Sequence, residues 1–180
     1  MNHFHIPKEA YKIGLLDPDY HARLILDIDR HSRNAGIPPK FVVSRLSKYC
    51  TINEIQWVRR MNLGNDNGML YIGEQTTIAI EDKMSAIAGA CLRNYISAQV
   101  MSVQEVLALL KGDDMVTPTV LLIPNFYIGK SSGGSLPAWQ ISSLLGLLYS
   151  RLAKNLHTIV YVQSKEGLIA DYGNPFWQHF

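Results

Sequence analysis

Short, almost wholly apolar runs alternate with helical stretches through most of this chain, and that order constrains the fold more than any other feature. MLYIG at 69–73, TVLLI at 119–123 and TIVYVQ at 158–163 read as buried strands, with a shorter one at 98–101. A helical stretch at about 82–95, rich in small residues, follows the first. SVQEVLALLKG, starting at Ser102 and stopping at Gly112, follows the short one, and AWQISSLLGLLYSRLAK precedes the last. Strands that are apolar on both faces and separated by helices need cover on both sides. The expectation is an α/β fold: a three-layer, mostly parallel sheet of about five strands.

The residues before 69 read differently. Asp17-Pro18 is a helix start, since Asp accepts a backbone N–H at the cap and Pro fits the first turn. The sequence after it predicts one amphipathic helix ending near Gly36, with Leu24, Ile25 and Ile28 as its apolar stripe. Ile37-Pro38-Pro39-Lys40-Phe41 cannot be helical at its prolines and reads as a linker. The expected division is therefore a helical extension over 1–36 and an α/β domain over 37–180. A further helix is expected over 52–61, and NLGNDNG at 62–68 reads as a turn.

The bulk numbers bound the function. A chain of 180 residues, 47% hydrophobic and 18% charged, is long enough for one well-packed domain. No apolar run approaches the length of a membrane span, and the N-terminus lacks the apolar core of an export signal. Cys50 and Cys91 form no metal-type pair and are expected as reduced thiols, which suits a cytoplasmic protein. A net charge of +2 points neither toward nor away from nucleic acid.

The strand–loop–helix order at 69–95 is where a nucleotide-binding protein places its phosphate loop, G-x-x-x-x-G-K-[ST]. Here the loop reads GEQTTIAIEDK, without the second Gly and without a Lys-Ser or Lys-Thr pair. The strand at 119–123 stands where an acidic pair would hold Mg²⁺, and it is followed by Pro124 and Asn125. Gly129-Lys130-Ser131 imitates a phosphate loop, but the position five residues before Gly129 is Pro124, and a surface loop is the simpler reading.

The order of these pieces resembles the AAA+ domain of bacterial replicative helicase loaders and insertion-sequence transposition ATPases, the DnaC/IstB type. NAGIPPKF is similar to that family's Gly-Ile-Pro segment, GMLYIG to its first core strand, and TVLLIPNFYIG to its Walker B strand and following loop. LPAWQISSLLGLLYSRLAKNLHTIVYVQS resembles its next helix and sensor strand, and LIADYG the start of its final segment. Together they cover about four-fifths of the chain. The resemblance implies a P-loop-like, AAA+-type core, and it locates the departures. The Walker A Lys and Ser/Thr positions are Ala79 and Ile80, and the Walker B carboxylate positions are Pro124 and Asn125. Lys83 is expected on the helix, out of reach of a phosphate. Gln163 stands at the sensor position. Gly173-Asn174-Pro175 stands where the family carries an arginine finger, and no Arg follows Arg151. The family's helical lid is not expected. Without the Lys, the carboxylates and the Arg, phosphoryl transfer has nothing to stabilise its transition state. No catalytic residue, cofactor or metal is expected.

Other groups admit simpler roles. Arg45, Lys48, Arg59 and Arg60 lie near Tyr49 and Trp57, a mix that suits single-stranded nucleic acid, as Lys130 in its loop also does. The alternative is a solvated helix face with Trp57 in the core. His3 and His5 alternate on a tail with no carboxylate or Cys at metal-ligand spacing in sequence. Cys91 and Ser142-Ser143 read as packing, and no nucleophile–base arrangement is visible.

The functional expectation is a catalytically inactive AAA+-like scaffold, adaptor or regulator in DNA replication or transposition. Its partner would be a helicase, an initiator or an active AAA+ protein, with DNA contact and oligomerisation both open. Leu24, Ile25 and Ile28 are the candidate anchors, unless that stripe packs on its own domain. Two alternatives stand beside it: a divergent loader that still binds nucleotide and single-stranded DNA, and an interaction module of a mobile element or secretion machine that shares only the fold.

Overall fold

The computed structural model describes residues 3–61, 68–74, 76–112, 116–129 and 136–179. Its centre is a sheet of four strands, β1 (Gly68–Ile72), β2 (Ala98–Val100), β3 (Val120–Tyr127) and β4 (His157–Val162), all parallel, in the order β1-β4-β3-β2. Four strands stand among the described residues where about five were expected. The helices are α1 (Lys8–Lys12), α2 (Ala22–Leu26), α3 (Ile28–Asn34), α4 (Ile52–Arg60), α5 (Thr77–Arg93), α6 (Val103–Lys111), α7 (Ala138–Ala153), α8 (Lys165–Tyr172) and α9 (Asn174–His179).

The chain leaves β1 at one edge, crosses to β2 at the other, and returns through β3 and β4. Right-handed crossovers run in opposite directions therefore place α5 on one face and α6 and α7 on the other. The cores agree with this. Val120 and Leu122 pack with Met84, Ile87, Ala88 and Cys91 of α5. Leu121 and Ile123 pack with Val106, Leu144 and Leu148 of α6 and α7. The alternation along β3 is the period-two signature of a strand covered on both sides. Among the described residues, no helix is long and apolar enough to cross a membrane. Cys50 and Cys91 are both unpaired and buried.

The N-terminal region is part of this core. Leu16, Leu24, Ile28 and Ala35 share one apolar cluster with Phe41, Met84 and Ile159. His21 Nδ1 accepts the Asp17 N–H at 2.8 Å, so Nε2 carries the proton and donates to the Arg93 carbonyl at 2.9 Å. Val100 N–H donates to the Ala35 carbonyl at 2.9 Å, so residues 35–36 cover the β2 edge of the sheet. Gly36 makes this approach feasible. Its φ is +67°, and a Cβ there would lie 2.3 Å from the Val100 carbonyl oxygen.

Four boundaries differ from expectation. The single helix expected up to Gly36 is two, α2 and α3, meeting at Asp27. Asp competes poorly in helix interiors, and Asp27 instead holds Arg30 of the next turn at 2.6 Å. Asp17 does cap, accepting the N–H groups of Asp19 and Tyr20, but the cap begins a turn. The helix expected from about 82 begins at Thr77. Finally, β3 continues past Pro124 and Asn125 to Tyr127. It does so through an irregularity: a step of four residues on β3, from Ile123 to Tyr127, runs beside a step of two on β4, from Val160 to Val162. β2 has ended by then, so the N–H that proline lacks falls where the ladder is already broken.

Candidate functional site at the carboxyl edge of the sheet

In an open parallel sheet, ligands bind beyond the carboxyl ends of the strands, where helix N-termini converge. Here the residue after β1 is Gly73, with φ +110°. Its N–H donates to the Val162 carbonyl at 3.3 Å, and its carbonyl accepts the Tyr161 hydroxyl at 2.7 Å. The turn is thus held from both sides by β4. The α5 helix starts soon after, with Thr76 as its cap: Thr76 Oγ1 accepts the Ala79 N–H at 3.3 Å, and the Thr76 carbonyl accepts the Ile80 N–H at 3.3 Å. The Ala79 N–H is one of the first-turn donors that a phosphate would need, and the Ile80 bond is the first of the helix's own ladder. Ala79 is exposed, and Ile80 is fully buried, so the residue expected at the Ser/Thr position is a core side chain.

Lys83 lies on α5, as its spacing implied. Its ammonium is 3.1 Å from Glu54 Oε1 and 5.5 Å from the centre of the Tyr71 ring. Glu54 caps α4 as well, accepting the Thr51 N–H in a reciprocal capping box. Burial pushes the Glu54 carboxyl up. The neighbouring Tyr71 hydroxyl and hydrogen bonds from Thr51 and Lys83 outweigh it and leave the group below its ordinary value. Burial also pushes the Tyr71 hydroxyl up, as does the neighbouring carboxylate. Cys50, beside the same cluster, is pushed up to about 12 by burial and is no nucleophile at neutral pH.

Asn125 is committed to the fold. Its Oδ1 accepts the Val103 N–H at 2.8 Å and its Nδ2 donates to Gln104 Oε1 at 3.0 Å, so it fixes the first turn of α6. Pro124 and Asn125 line a cavity of about 360 Å³ that also receives Glu81, Asp82, Glu105 and Lys40. Three carboxylates against one ammonium make this a poor environment for a polyphosphate. A second cavity, about 630 Å³, lies between α2, α3 and the amino ends of β2 and β3, lined by Arg23, Leu26, Arg30, Tyr95 and Pro118 among others. It is at the opposite end of the strands from the phosphate-loop position.

Gln163 follows β4 and donates its backbone N–H to the Tyr127 carbonyl at 2.9 Å. Tyr127 in turn donates its hydroxyl to Asp171 Oδ2 at 2.8 Å, across to α8. Gly173, φ +97°, separates α8 from α9, and α9 buries Phe176. Arg151, the last arginine, is 2% exposed and structural. It donates to the carbonyls of Val116, Pro118 and His157 at 3.1, 2.9 and 2.7 Å and to Thr158 Oγ1 at 3.0 Å. Burial lowers its pKa to about 10.

The nucleic-acid candidates divide. Arg45, Lys48, Arg59 and Arg60 are exposed, on the turn before α4 and at its end. Trp57 is buried, edge-on to His157 at 6.0 Å, and so is not a stacking platform. Tyr49 is half-buried against Phe41. Lys130 lies outside the described residues. Of the partner-binding candidates, Leu24 and Ile28 are buried and Ile25 is half-buried against the same core, so the stripe serves the domain itself. His3 does meet a carboxylate: its Nδ1 pairs with Asp29, which sequence spacing does not bring near. Among the described residues, no group of three or more His, Cys, Asp or Glu could hold a metal.

Sequence reasoning missed the Glu54–Lys83–Tyr71 cluster and the Arg151 hub. The Thr51–Glu54 spacing carries a capping-box signal, but the partner of Lys83 is set by tertiary packing. No protein-family model and no curated protein matches this chain.

Proposed function

We propose that this chain is a catalytically inactive AAA+-like protein that works as a scaffold, adaptor or regulator in DNA replication or transposition. It would do so by binding a helicase, an initiator or an active AAA+ protein of the helicase-loader type. The observation that carries the reading is the turn after β1: in an all-parallel sheet, at the phosphate-loop position, the Ala79 N–H is already capped by the Thr76 hydroxyl and the Ser/Thr position is the buried Ile80. The commitment of Lys83 to Glu54 and of Asn125 to α6 supports it further. Such a domain lacks the groups that stabilise phosphoryl transfer and would act by contact with a neighbour. Calorimetry with ATP and Mg²⁺, beside a phosphate-release assay, tests it. The expected result is no heat of binding, no turnover and a melting temperature that stays flat as ATP is added. Micromolar binding or steady turnover would overturn it.

A second reading is contact with single-stranded DNA, favoured by the four exposed cations Arg45, Lys48, Arg59 and Arg60 on adjoining elements. Its test is the double charge reversal Arg59→Glu and Arg60→Glu, which should weaken binding and flatten its salt dependence. Unchanged binding would remove these residues from the role.

A further inference from the structure

The cover that Ala35 and Gly36 give the β2 edge stops at Val100. The Val120 N–H donates to the Ser97 carbonyl and the Met101 N–H to the Leu122 carbonyl, with Ala98 in register with Val120. Ser97, Gln99 and Met101 therefore turn their backbone groups toward β3, and Ala98 and Val100 turn theirs outward. The Val100 N–H is met by the Ala35 carbonyl at 2.9 Å. Ala98 stands two residues back along the same edge. Among the described residues, its outward N–H and carbonyl make no hydrogen bond, although the residue is only 4% exposed. It lines the cavity of about 630 Å³ between β2 and the α2–α3 pair, a volume within the range of ligand sites. Every residue lining that cavity is described. Its buried side is apolar, with Leu24, Ala98 and Pro118. On its exposed side Arg30 is held by Asp27 at 2.6 Å, whereas Arg23 forms no ion pair among the described residues. Leu26 and Tyr95, 76% and 51% exposed, stand on the same side and offer apolar surface that a bound segment would cover.

We propose that this groove takes an extended, acidic segment of a partner protein, laid along β2 as a further strand of the sheet. In an antiparallel pair one residue exchanges both backbone bonds with the residue opposite. A single peptide residue opposite Ala98 therefore meets its N–H and its carbonyl together. Side chains alternate along such a segment, so an apolar one can turn to the buried side while a carboxylate turns to the exposed side. There the Arg23 guanidinium supplies a planar fork that matches a carboxylate. One unpaired cation beside an apolar wall does not suit a nucleic-acid backbone, whose affinity comes from several phosphates neutralised together. Strand addition of this kind draws affinity from main-chain bonds and specificity from alternate side chains. The groove lies at the opposite end of the strands from the phosphate-loop position, so peptide binding here is separate from any binding of nucleotide.

The test uses pools of end-blocked pentapeptides with Glu at the centre and Ala, Thr, Val or Leu on either side. They are titrated into the isotope-labelled full chain by NMR, with hydrogen exchange followed at the Ala98 amide. The expected result is saturable shifts at Ala98, Gln99 and Arg23, with Ala98 exchange slowed at least about tenfold at saturation. Lys in place of the central Glu should weaken binding at least about tenfold, and so should N-methylation of the peptide backbone. Arg23→Glu, at an exposed position, should do the same. No shift with any pool up to millimolar concentration would overturn the proposal. So would an Ala98 amide already protected without peptide, because the chain itself would then fill the edge. Equal binding of the Lys peptides, of the N-methylated peptides or by Arg23→Glu would overturn it too, as would a single-stranded oligonucleotide that shifts these amides where the peptides do not. Should Arg23→Glu fail to fold, the altered peptides decide on the unaltered protein.

Discussion

Lys83 Nζ sits 3.1 Å from Glu54 Oε1, joining a helix of the sheet layer to one that precedes the sheet. The Lys83 side chain is 22% exposed and that of Glu54 is 8% exposed, so the pair is mostly shielded from solvent. Removing one partner leaves a buried charge without its counterion, which costs more than the pair contributes. Lys83→Met is expected to destabilise the protein by about 2–4 kcal/mol. Adding Glu54→Gln should recover part of that loss, and a double-mutant cycle in urea measures the coupling.

The same carboxyl gives a pH dependence. Glu54 is held below its ordinary value in the folded protein, by hydrogen bonds that outweigh the effect of burial. Between the folded and unfolded values the unfolded chain binds more protons, so stability rises with pH there. The contribution is complete above the ordinary glutamate range and is lost as pH falls through the folded value. Urea midpoints at a series of acidic pH values should decline less steeply for Glu54→Gln than for the unaltered protein. Parallel declines would show that other groups carry the acid sensitivity.

The layered sheet was legible because strands covered on both faces, such as 119–123 and 158–163, are continuous apolar runs whatever their neighbours are. The ends of elements were less so. Thr76 is a residue that caps helices, but the apolar Ile78 and Ile80 after it obscured a helix start at Thr77. Pro124 looked like the end of a strand because no sequence signal reveals that β2 stops short beside it. The stripe of Leu24 and Ile28 is real. Whether such a stripe faces a partner or its own core depends on contacts across the chain, here with α5 and the sheet.

Arg151 joins the end of α7 to the amino ends of β3 and β4 through a fan of planar N–H donors. A lysine ammonium is a point charge and cannot reproduce a fan that reaches the carbonyls of Val116, Pro118 and His157 together. Arg151→Lys should cost about 2–4 kcal/mol by leaving buried acceptors unmet. Thermal and urea unfolding check this. A loss under about 0.5 kcal/mol, the range of an ordinary surface change, would mean that the fan contributes little.

Gly89 lies where α5 crosses the turn at Pro39–Phe41. A Cβ there would stand 2.4 Å from the Phe41 carbonyl oxygen and 2.7 Å from its carbon. Both are backbone atoms, so relief requires moving a whole segment that Arg93 also grips, through the Phe41 and Val42 carbonyls at 3.3 and 2.7 Å. Gly89→Ala should therefore destabilise by about 2–3 kcal/mol, although Ala is otherwise the better helix former by about 1 kcal/mol. Gly146 of α7 supplies the control, since nothing lies within 4 Å of a Cβ built there. Gly146→Ala should be neutral or stabilising in the same unfolding assay.

Truncation before residue 35 addresses the N-terminal segment as a whole. Ala10, Leu16, Leu24 and Ile28 are each 2% exposed or less and sit against the core that α5 shares with the sheet. Deleting them uncovers that core, and each large apolar side chain buried there contributes about 1.5–3 kcal/mol. It also removes His21, whose ring links the Asp17 N–H to the Arg93 carbonyl. The summed loss is comparable to the whole stability of a domain this size, about 5–15 kcal/mol. A chain beginning at residue 35 is therefore expected to be unfolded or aggregated, as read by circular dichroism and gel filtration. A truncated protein that melts cooperatively near the temperature of the full chain would mean that the segment is an appendage, and would return Leu24, Ile25 and Ile28 to the role of partner anchors. If the truncated chain fails to fold, a partner surface must be sought with point changes at exposed positions such as Leu26, Ile78 and Trp139, which are 76%, 73% and 53% exposed. Polar substitutions there should leave unfolding unchanged, so any effect on partner capture can be read directly.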